Sequence, residues 1–158
     1  MTPEDPIVRT FLERSLVARI ATRSARGWPA LAPLWFVEDG GRLYTTTGAA
    51  TLAARNAAAD AAVTVLLDAE AGGASAHVLR LRGRATVRAE LPSWRIVLAF
   101  ARKYYLAPGG LRSELAHAAR WNLRRRYYAQ GEPATIEIAL ERAELLRRPR
   151  IGRGIDPS

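Results

Sequence analysis

The sequence feature that most constrains the fold is the segment Pro29–Val37, in which every residue is apolar. Alternate side chains of a β-strand point to opposite faces of the sheet. A strand with one face in water alternates apolar with polar residues, whereas both alternating sets are apolar here. We therefore expect this strand to be covered on both sides, by its own core on one and by another element or chain on the other.

The residues after this strand predict a tight turn, a second strand and a short helix. The segment 38–41 ends in two glycines, which favour the positive φ angles of a hairpin turn. Arg42–Thr47 is predicted to return as a strand, and Thr51 to cap a helix over Leu52–Ala59. The start of such a helix attracts anions. Two interpretations stay open: a core strand with a capped helix and an oligomer contact, or a wall and loop that hold a flat ring carrying a phosphate.

The rest of the chain predicts one mainly β domain. Further strands are predicted at Leu16–Thr22, Ala62–Leu67, His77–Glu90 and Ala134–Glu144, and helices at Pro6–Ser15, Pro92–Tyr105 and Leu111–Tyr128. Strands joined mostly as hairpins argue against a doubly wound parallel sheet. We expect a small antiparallel β-barrel of about six strands over residues 1–146, with a helical insertion at about 92–130 and a flexible basic tail at 147–158.

Arginine dominates the charge of the chain, which has a net charge of +9 and only one lysine, Lys103. Arginine together with abundant alanine reflects a genome rich in G and C, or the basic surface serves to attract anions. Four arginines fall on one face of the predicted strand His77–Glu90: Arg80, Arg82, Arg84 and Arg88. Unpaired guanidinium groups cannot lie in a core. We expect most of them to pair with Glu137 and Glu141 of the last strand, while in the alternative some of them meet a phosphate or carboxylate.

Several kinds of chemistry are excluded by what the sequence lacks. It has no cysteine, so disulfides and thiolate metal sites are impossible. His77 and His117 are the only histidines, and neither has a partner at metal-ligand spacing, so no metal is expected. Neither a Gly-x-Ser-x-Gly motif nor a Walker loop is present. An enzyme with this sequence would therefore rely on a bound cofactor.

The sequence also gives expectations about partners and location. Arg124–Tyr128 and the basic tail could hold a nucleic acid by charge and stacking, but no zinc finger or ribonucleoprotein motif accompanies them, so we expect no such partner. The acidic, proline-broken start does not read as a signal peptide. No apolar run approaches the roughly 20 residues that span a bilayer. We expect a soluble, cytoplasmic protein.

The chain resembles the pyridoxamine 5′-phosphate oxidase-like superfamily, the flavin-binding split barrels. The resemblance rests on ARIATRSARGWPALAPLWFVEDGGRLYTTTG, TLAARNAAADAAVTVLL and LRGRATV, which match in order and spacing from about Phe11 to Val87, and on the closing strand PATIEIALERAELL. It implies a six-stranded antiparallel split barrel that forms a homodimer. It also implies a groove between the two subunits that binds FMN or the deazaflavin coenzyme F-420, and such a groove would explain the second apolar face of Pro29–Val37.

The resemblance further implies a set of cofactor-binding residues. The ring would be lined by Pro33, Leu34, Trp35 and Phe36. The phosphate would lie near Thr46, Thr47, Thr51, Arg55 and Asn56. The ligand of the partner subunit would be reached by Arg82 and Arg84. No residue of the chain is expected to act as a catalytic nucleophile.

The chain departs from the family pattern at one place. Members usually carry a lysine, often after an arginine, just beyond the position of Thr51, where this chain has Leu52 and Ala53. A charge-assisted hydrogen bond contributes about 1.5–3 kcal/mol, or about tenfold or more in affinity, so Arg55 or Arg82 would have to replace it. Two functions stay open: a flavin- or deazaflavin-dependent oxidoreductase acting on a small planar substrate, and a non-catalytic split-barrel protein that binds the cofactor or has lost it.

Overall fold

The computed structural model describes residues 1–68, 76–106 and 131–147. The strands are β1 Val17–Arg23, β2 Pro29–Trp35, β3 Val37–Asp39, β4 Arg42–Gly48, β5 Ala62–Leu67, β6 His77–Arg88 and β7 Pro133–Arg147. The helices are α1 Pro6–Arg14, α2 Leu52–Ala59 and α3 Trp94–Ala101, which continues as a π-helical turn over Arg102–Leu106. The predicted helix Leu111–Tyr128, with His117 and the Arg124–Tyr128 run, and the tail beyond Arg147 lie outside the described residues.

The seven described strands form one antiparallel sheet in the order β2-β1-β5-β6-β7-β4-β3. Its two edge strands, β2 and β3, are consecutive in the chain and are separated only by Phe36. The sheet must therefore curl until its edges meet at this residue, which gives the mainly β, antiparallel barrel that the sequence predicted. The sequence predicted six strands, and the seventh arises because the apolar segment Pro29–Val37 breaks at Phe36.

The inner face of the curled sheet forms the hydrophobic core. Ile20, Val65, Leu81 and Ile138, from four different strands, are almost fully buried and pack in one cluster. Helix α2 adds Ala53 to this cluster and contacts strands from both halves of the sheet, so it closes one end of the barrel. None of the helices in the described ranges is long and apolar enough to cross a membrane.

Strand β2 presents one apolar face to the core and the other to solvent. Leu34 on the inner face is buried, whereas Leu31 on the outer face is 58% exposed and Pro33 is exposed as well. The outer face is covered at Trp35, whose ring stacks on Tyr104 with 4.3 Å between the ring centroids. The second cover that the sequence predicts would therefore have to come from outside the described residues.

Strands β6 and β7 are the longest in the sheet, and a β-bulge interrupts their pairing. Arg82 lies opposite Arg142, but the next residue, Gly83, lies opposite Leu140, so Glu141 is the extra residue of the bulge. A Cβ atom at position 83 would lie 2.3 Å from the carbonyl oxygen of Ala139. Only glycine permits so close an approach of two strands.

Replacing Gly83 by alanine should therefore destabilise the protein. The added methyl group meets backbone, which cannot rotate away, so we expect the free energy of unfolding to fall by about 1–3 kcal/mol or more. Urea denaturation followed by circular dichroism measures this change. The control Thr86→Ala, at an exposed position on the same strand, should stay within about 0.5 kcal/mol of the wild type. Equal stability of Gly83→Ala and the wild type would refute the close approach.

Candidate functional site

The outer face of the sheet carries a row of side chains that changes from apolar at one end to positively charged at the other. Residues directly opposite each other in paired strands share a face of the sheet. Across β2, β1, β5, β6 and β7, one such row consists of Leu31, Ala21, Thr64, Arg82 and Arg142. We call these five residues the outer row. Small side chains in its middle lie between an apolar side chain at one end and two guanidinium groups at the other.

The charges beside the outer row are matched by carboxylates. On one side, Arg19 of β1 forms an ion pair with Asp68 at 2.5 Å. On the other side, the guanidinium of Arg23 donates two hydrogen bonds to Asp60, at 2.6 and 2.9 Å. The pKa of the Asp60 carboxyl is lowered, mainly by these bonds from Arg23. The positive charges of β1 are thus largely neutralised within the chain.

Two of the four arginines of β6 pair with glutamates of β7, whereas the sequence led us to expect such pairing for most of them. Arg88 lies 3.9 Å from Glu137, one of the predicted partners. Arg80 pairs with Glu144 instead of the predicted Glu141, because the bulge shifts the register of β7 beyond that residue. The hydrogen bond from Arg80 holds the pKa of the Glu144 carboxyl below its usual range.

The remaining arginines of this surface are not paired with carboxylates in the described part of the chain. Arg82 and Arg84 are exposed and form no ion pair with any carboxylate of the described residues. The same holds for Arg142, which the sequence did not single out. Guanidinium groups in this position can bind an oxyanion through two parallel N–H donors.

The hydroxyl groups of the predicted phosphate loop are mostly turned towards each other. The Thr47 and Thr51 hydroxyl oxygens lie 3.2 Å apart, and Thr47 is buried. The Thr51 hydroxyl donates to the Gly48 carbonyl at 2.8 Å and accepts the Ala54 N–H at 3.4 Å, so it caps α2 as predicted. Thr46 lies on the opposite face of β4 and is half-buried, and its hydroxyl is the one of the three that faces outwards.

Helix α2 directs its predicted ligand residues to different sides. Arg55 is exposed, whereas Asn56 is buried and its side-chain amide donates to the Thr22 hydroxyl at 3.2 Å. Asn56 therefore joins α2 to β1 within the barrel. Leu52 is 58% exposed, and Ala53 is 3% exposed and faces the core. The two positions where the family usually carries cations thus offer none.

The four residues predicted to line the ring do not share a face. Leu34 and Phe36 are buried in the core, while Pro33 and Trp35 alternate with them and point outwards. A ring on the outer face would therefore contact the side chains of Pro33 and Trp35 and only the backbone of the other two.

A pair of side chains that the sequence did not assign holds the junction of β2 and β3. The Tyr104 hydroxyl accepts the Phe36 N–H at 2.9 Å and lies 2.7 Å from the Leu16 carbonyl, to which it donates. The Lys103 ammonium donates to the Leu12 carbonyl at 2.9 Å and lies 3.6 Å from the centroid of the Phe36 ring. The available sequence signal was that a single lysine occurs in a chain rich in arginine.

Burial governs the ionisation of this lysine. Removal from water lowers the pKa of Lys103 to about 7, and the Glu38 carboxylate raises it only in part. On the outer face, burial and then the charge of Glu137 raise the pKa of Tyr44. The described residues contain no cluster of three or more side chains suited to hold a metal ion.

Comparison with known proteins agrees with this fold. The family described as pyridoxamine 5′-phosphate oxidase matches residues 5–146. No curated protein matches the sequence.

Solved structures share the fold at low sequence identity. An F420 reductase is 20% identical with a TM-score of 0.60, over 86% of this chain and 94% of that one. An FAD-binding protein from Mesorhizobium loti is 18% identical with a TM-score of 0.55, over 87% and 89%. The heme storage protein HutZ from Vibrio cholerae is 18% identical with a TM-score of 0.58, over 93% and 95%. The split-barrel fold predicted from the sequence is confirmed.

The lowered pKa of Lys103 predicts a dependence of stability on pH. An unfolded lysine has a pKa near 10.5 and the folded one a pKa of about 7, so the unfolded state binds more protons between these values. Stability conferred at this position therefore rises with pH across that window. Relative to Lys103→Met, the wild type should gain free energy of unfolding between about pH 7 and pH 10. A difference between the two proteins that stays constant over this range would contradict the assignment.

Proposed function

Because the chain belongs to the pyridoxamine 5′-phosphate oxidase-like split-barrel family, we propose that it is an oxidoreductase dependent on FMN or on the deazaflavin coenzyme F-420. Hydride would pass to or from a small planar substrate held beside the cofactor. The observation that carries this proposal is the outer row, in which an apolar end, a floor of small side chains and unmatched arginines lie side by side. Such a surface suits a flat ring system with an anionic substituent.

The dimensions of the outer row fit a planar ligand. Neighbouring strands lie about 4.8 Å apart, so Leu31 and Arg82 are separated by three strand spacings, or about 14 Å. Ala21 and Thr64 between them project little from the sheet. A fused three-ring system can lie flat across this span, with Pro33 and the edge of Trp35 beside it.

The cofactor's phosphate would be held by the residues that remain accessible. Thr46 offers a hydroxyl on the outer face, and Arg55 offers the exposed cation of α2, in place of the absent family lysine. Thr47, Thr51 and Asn56 would support this region indirectly, because their polar groups already bond within the protein.

The bound cofactor would supply the hydride-transfer chemistry. The chain would supply position and electrostatics: a flat floor, an apolar wall and guanidinium groups. Its outer apolar face at Leu31 and Pro33 would be covered by a second copy in a homodimer, which would also exclude water from the ring. Arg84 of one subunit would then reach towards the ligand of the other.

A second function is favoured by one observation, the absence of a cation at positions 52 and 53. Ala53 is buried, so nothing at this position can hold a phosphate. Without compensation by Arg55, the protein would be a non-catalytic split barrel that binds a cofactor weakly or has lost it.

Fluorescence titration with FMN and with F-420, followed by turnover with the reduced cofactor, distinguishes these functions. We expect saturable binding of one cofactor, weakened about tenfold by Arg55→Ala through loss of a charge-assisted hydrogen bond. The matched control is Arg95→Ala, which removes an exposed arginine paired with Asp39 at 3.0 Å. Binding without turnover would support the non-catalytic function. The absence of binding by both cofactors would refute the proposed oxidoreductase.

A further inference from the structure

The bulge in β7 changes which side chain faces Arg82. If the pairing of Gly83 with Leu140 continued without interruption, Arg82 would lie opposite Glu141, a natural ion-pair partner. The extra residue places Arg142 there instead. Two like charges directly opposite each other on one face repel and cost stability. Bulges of this kind often occur beside functional sites, where they redirect a side chain.

The charges around this pair do not cancel. The Glu144 carboxylate, which lies opposite Arg80, already accepts a hydrogen bond from that arginine. Its pKa is lowered mainly by that bond and further by the fields of Arg82 and Arg142. Arg80, Arg82 and Arg142 therefore all act on this one carboxylate, and neither Arg82 nor Arg142 forms an ion pair with a carboxylate of the described residues.

We propose that Arg82 and Arg142 form a subsite for an oxyanion at the end of the outer row. Their planar N–H forks suit a carboxylate or a phosphate. The group bound there would belong to a planar ligand other than the cofactor, whose phosphate is assigned to Thr46 and Arg55, and the flat part of this ligand would lie towards Ala21 and Thr64; in this respect the inference rests on the proposed function. The repulsion between the two arginines is relieved when the anion binds, so the pair favours an occupied state.

This subsite defines the chemical class of the ligand. From Ala21 to Arg82 the sheet spans two strand spacings, or about 10 Å. A ligand that uses both features is planar at one end and carries a carboxylate or phosphate at the other. A neutral planar compound would occupy the floor and leave the two arginines unmatched.

The subsite can be tested without any cofactor. Inorganic phosphate and citrate are titrated separately into the full-length protein at low, fixed ionic strength, with the guanidinium Nε–H resonances followed by NMR. We expect saturable one-to-one binding of at least one anion, with the resonances of Arg82 and Arg142 moving together. Arg82→Gln and Arg142→Gln should each weaken binding about tenfold or more, and the control Arg95→Gln should leave it unchanged. Circular dichroism and the melting temperature confirm that each variant is folded.

Each result of these titrations either supports or overturns the proposed oxyanion subsite. Binding of phosphate alone, citrate alone or both supports the subsite and identifies its preferred anion. No binding of either, or equal weakening in Arg95→Gln, overturns it. The same titration is run with a single-stranded oligonucleotide. If all three variants weaken its binding by the same factor, the surface attracts polyanions in general, and this result also overturns the subsite. If phosphate or citrate binds while FMN and F-420 do not, the subsite stands and the proposed oxidoreductase fails.

Discussion

The close approach of Gly83 to the backbone of Ala139 is the constraint on which both faces of this sheet depend. It brings β6 and β7 together beside a bulge, and the bulge sets the register of the rest of β7. On the inner face, that register keeps apolar residues such as Leu81 and Ala143 in the core. On the outer face, it places Arg142 beside Arg82. The glycine at position 83 thus affects both the packing of β6 against β7 and the arrangement of charges on the outer face.

The two faces of the sheet differ in composition. Its inner face and α2 form a continuous apolar core that explains why so different a sequence keeps this fold. The solved structures that share the fold are named for different ligands, F420, FAD and heme, so the fold alone does not specify what is bound. The outer face has to be interpreted from its own side chains, and in this chain it combines small residues with arginines that lack carboxylate partners.

Much of the fold was predictable because alternation along a strand directly reflects which face is buried. The bounds of α2 and β5 agree with the prediction, and the cap at Thr51 forms as expected. The break at Phe36 was not predictable from the local pattern, and the Phe36 N–H there bonds to the hydroxyl of Tyr104, which lies 68 positions further along the chain. The bulge was missed for a similar reason. Its cause is a contact between two strands, and the sequence of either strand alone shows only a regular alternation.

The candidate site as a region stays a prediction from the sequence, and the structure shows how the side chains named for it are directed. A motif names consecutive residues, whereas a strand turns every second one inwards, so Leu34 and Phe36 point to the core while Pro33 points out. Asn56 likewise satisfies its amide against Thr22. Arg142 could not be found from a motif, because it lies opposite Arg82 only through the bulge.

The most direct test of the outer face as the ligand surface is methyl NMR during titration with FMN and with F-420. The strands offer matched probes, since Ala21, Leu31 and Thr64 point outwards while Ala18 and Val65, on the same strands as two of them, point into the core. We expect the outer methyl resonances to shift with saturation and the inner ones to change little. Saturable binding that leaves the three outer methyl groups unchanged, or moves the inner ones more, would contradict a ligand site on this face.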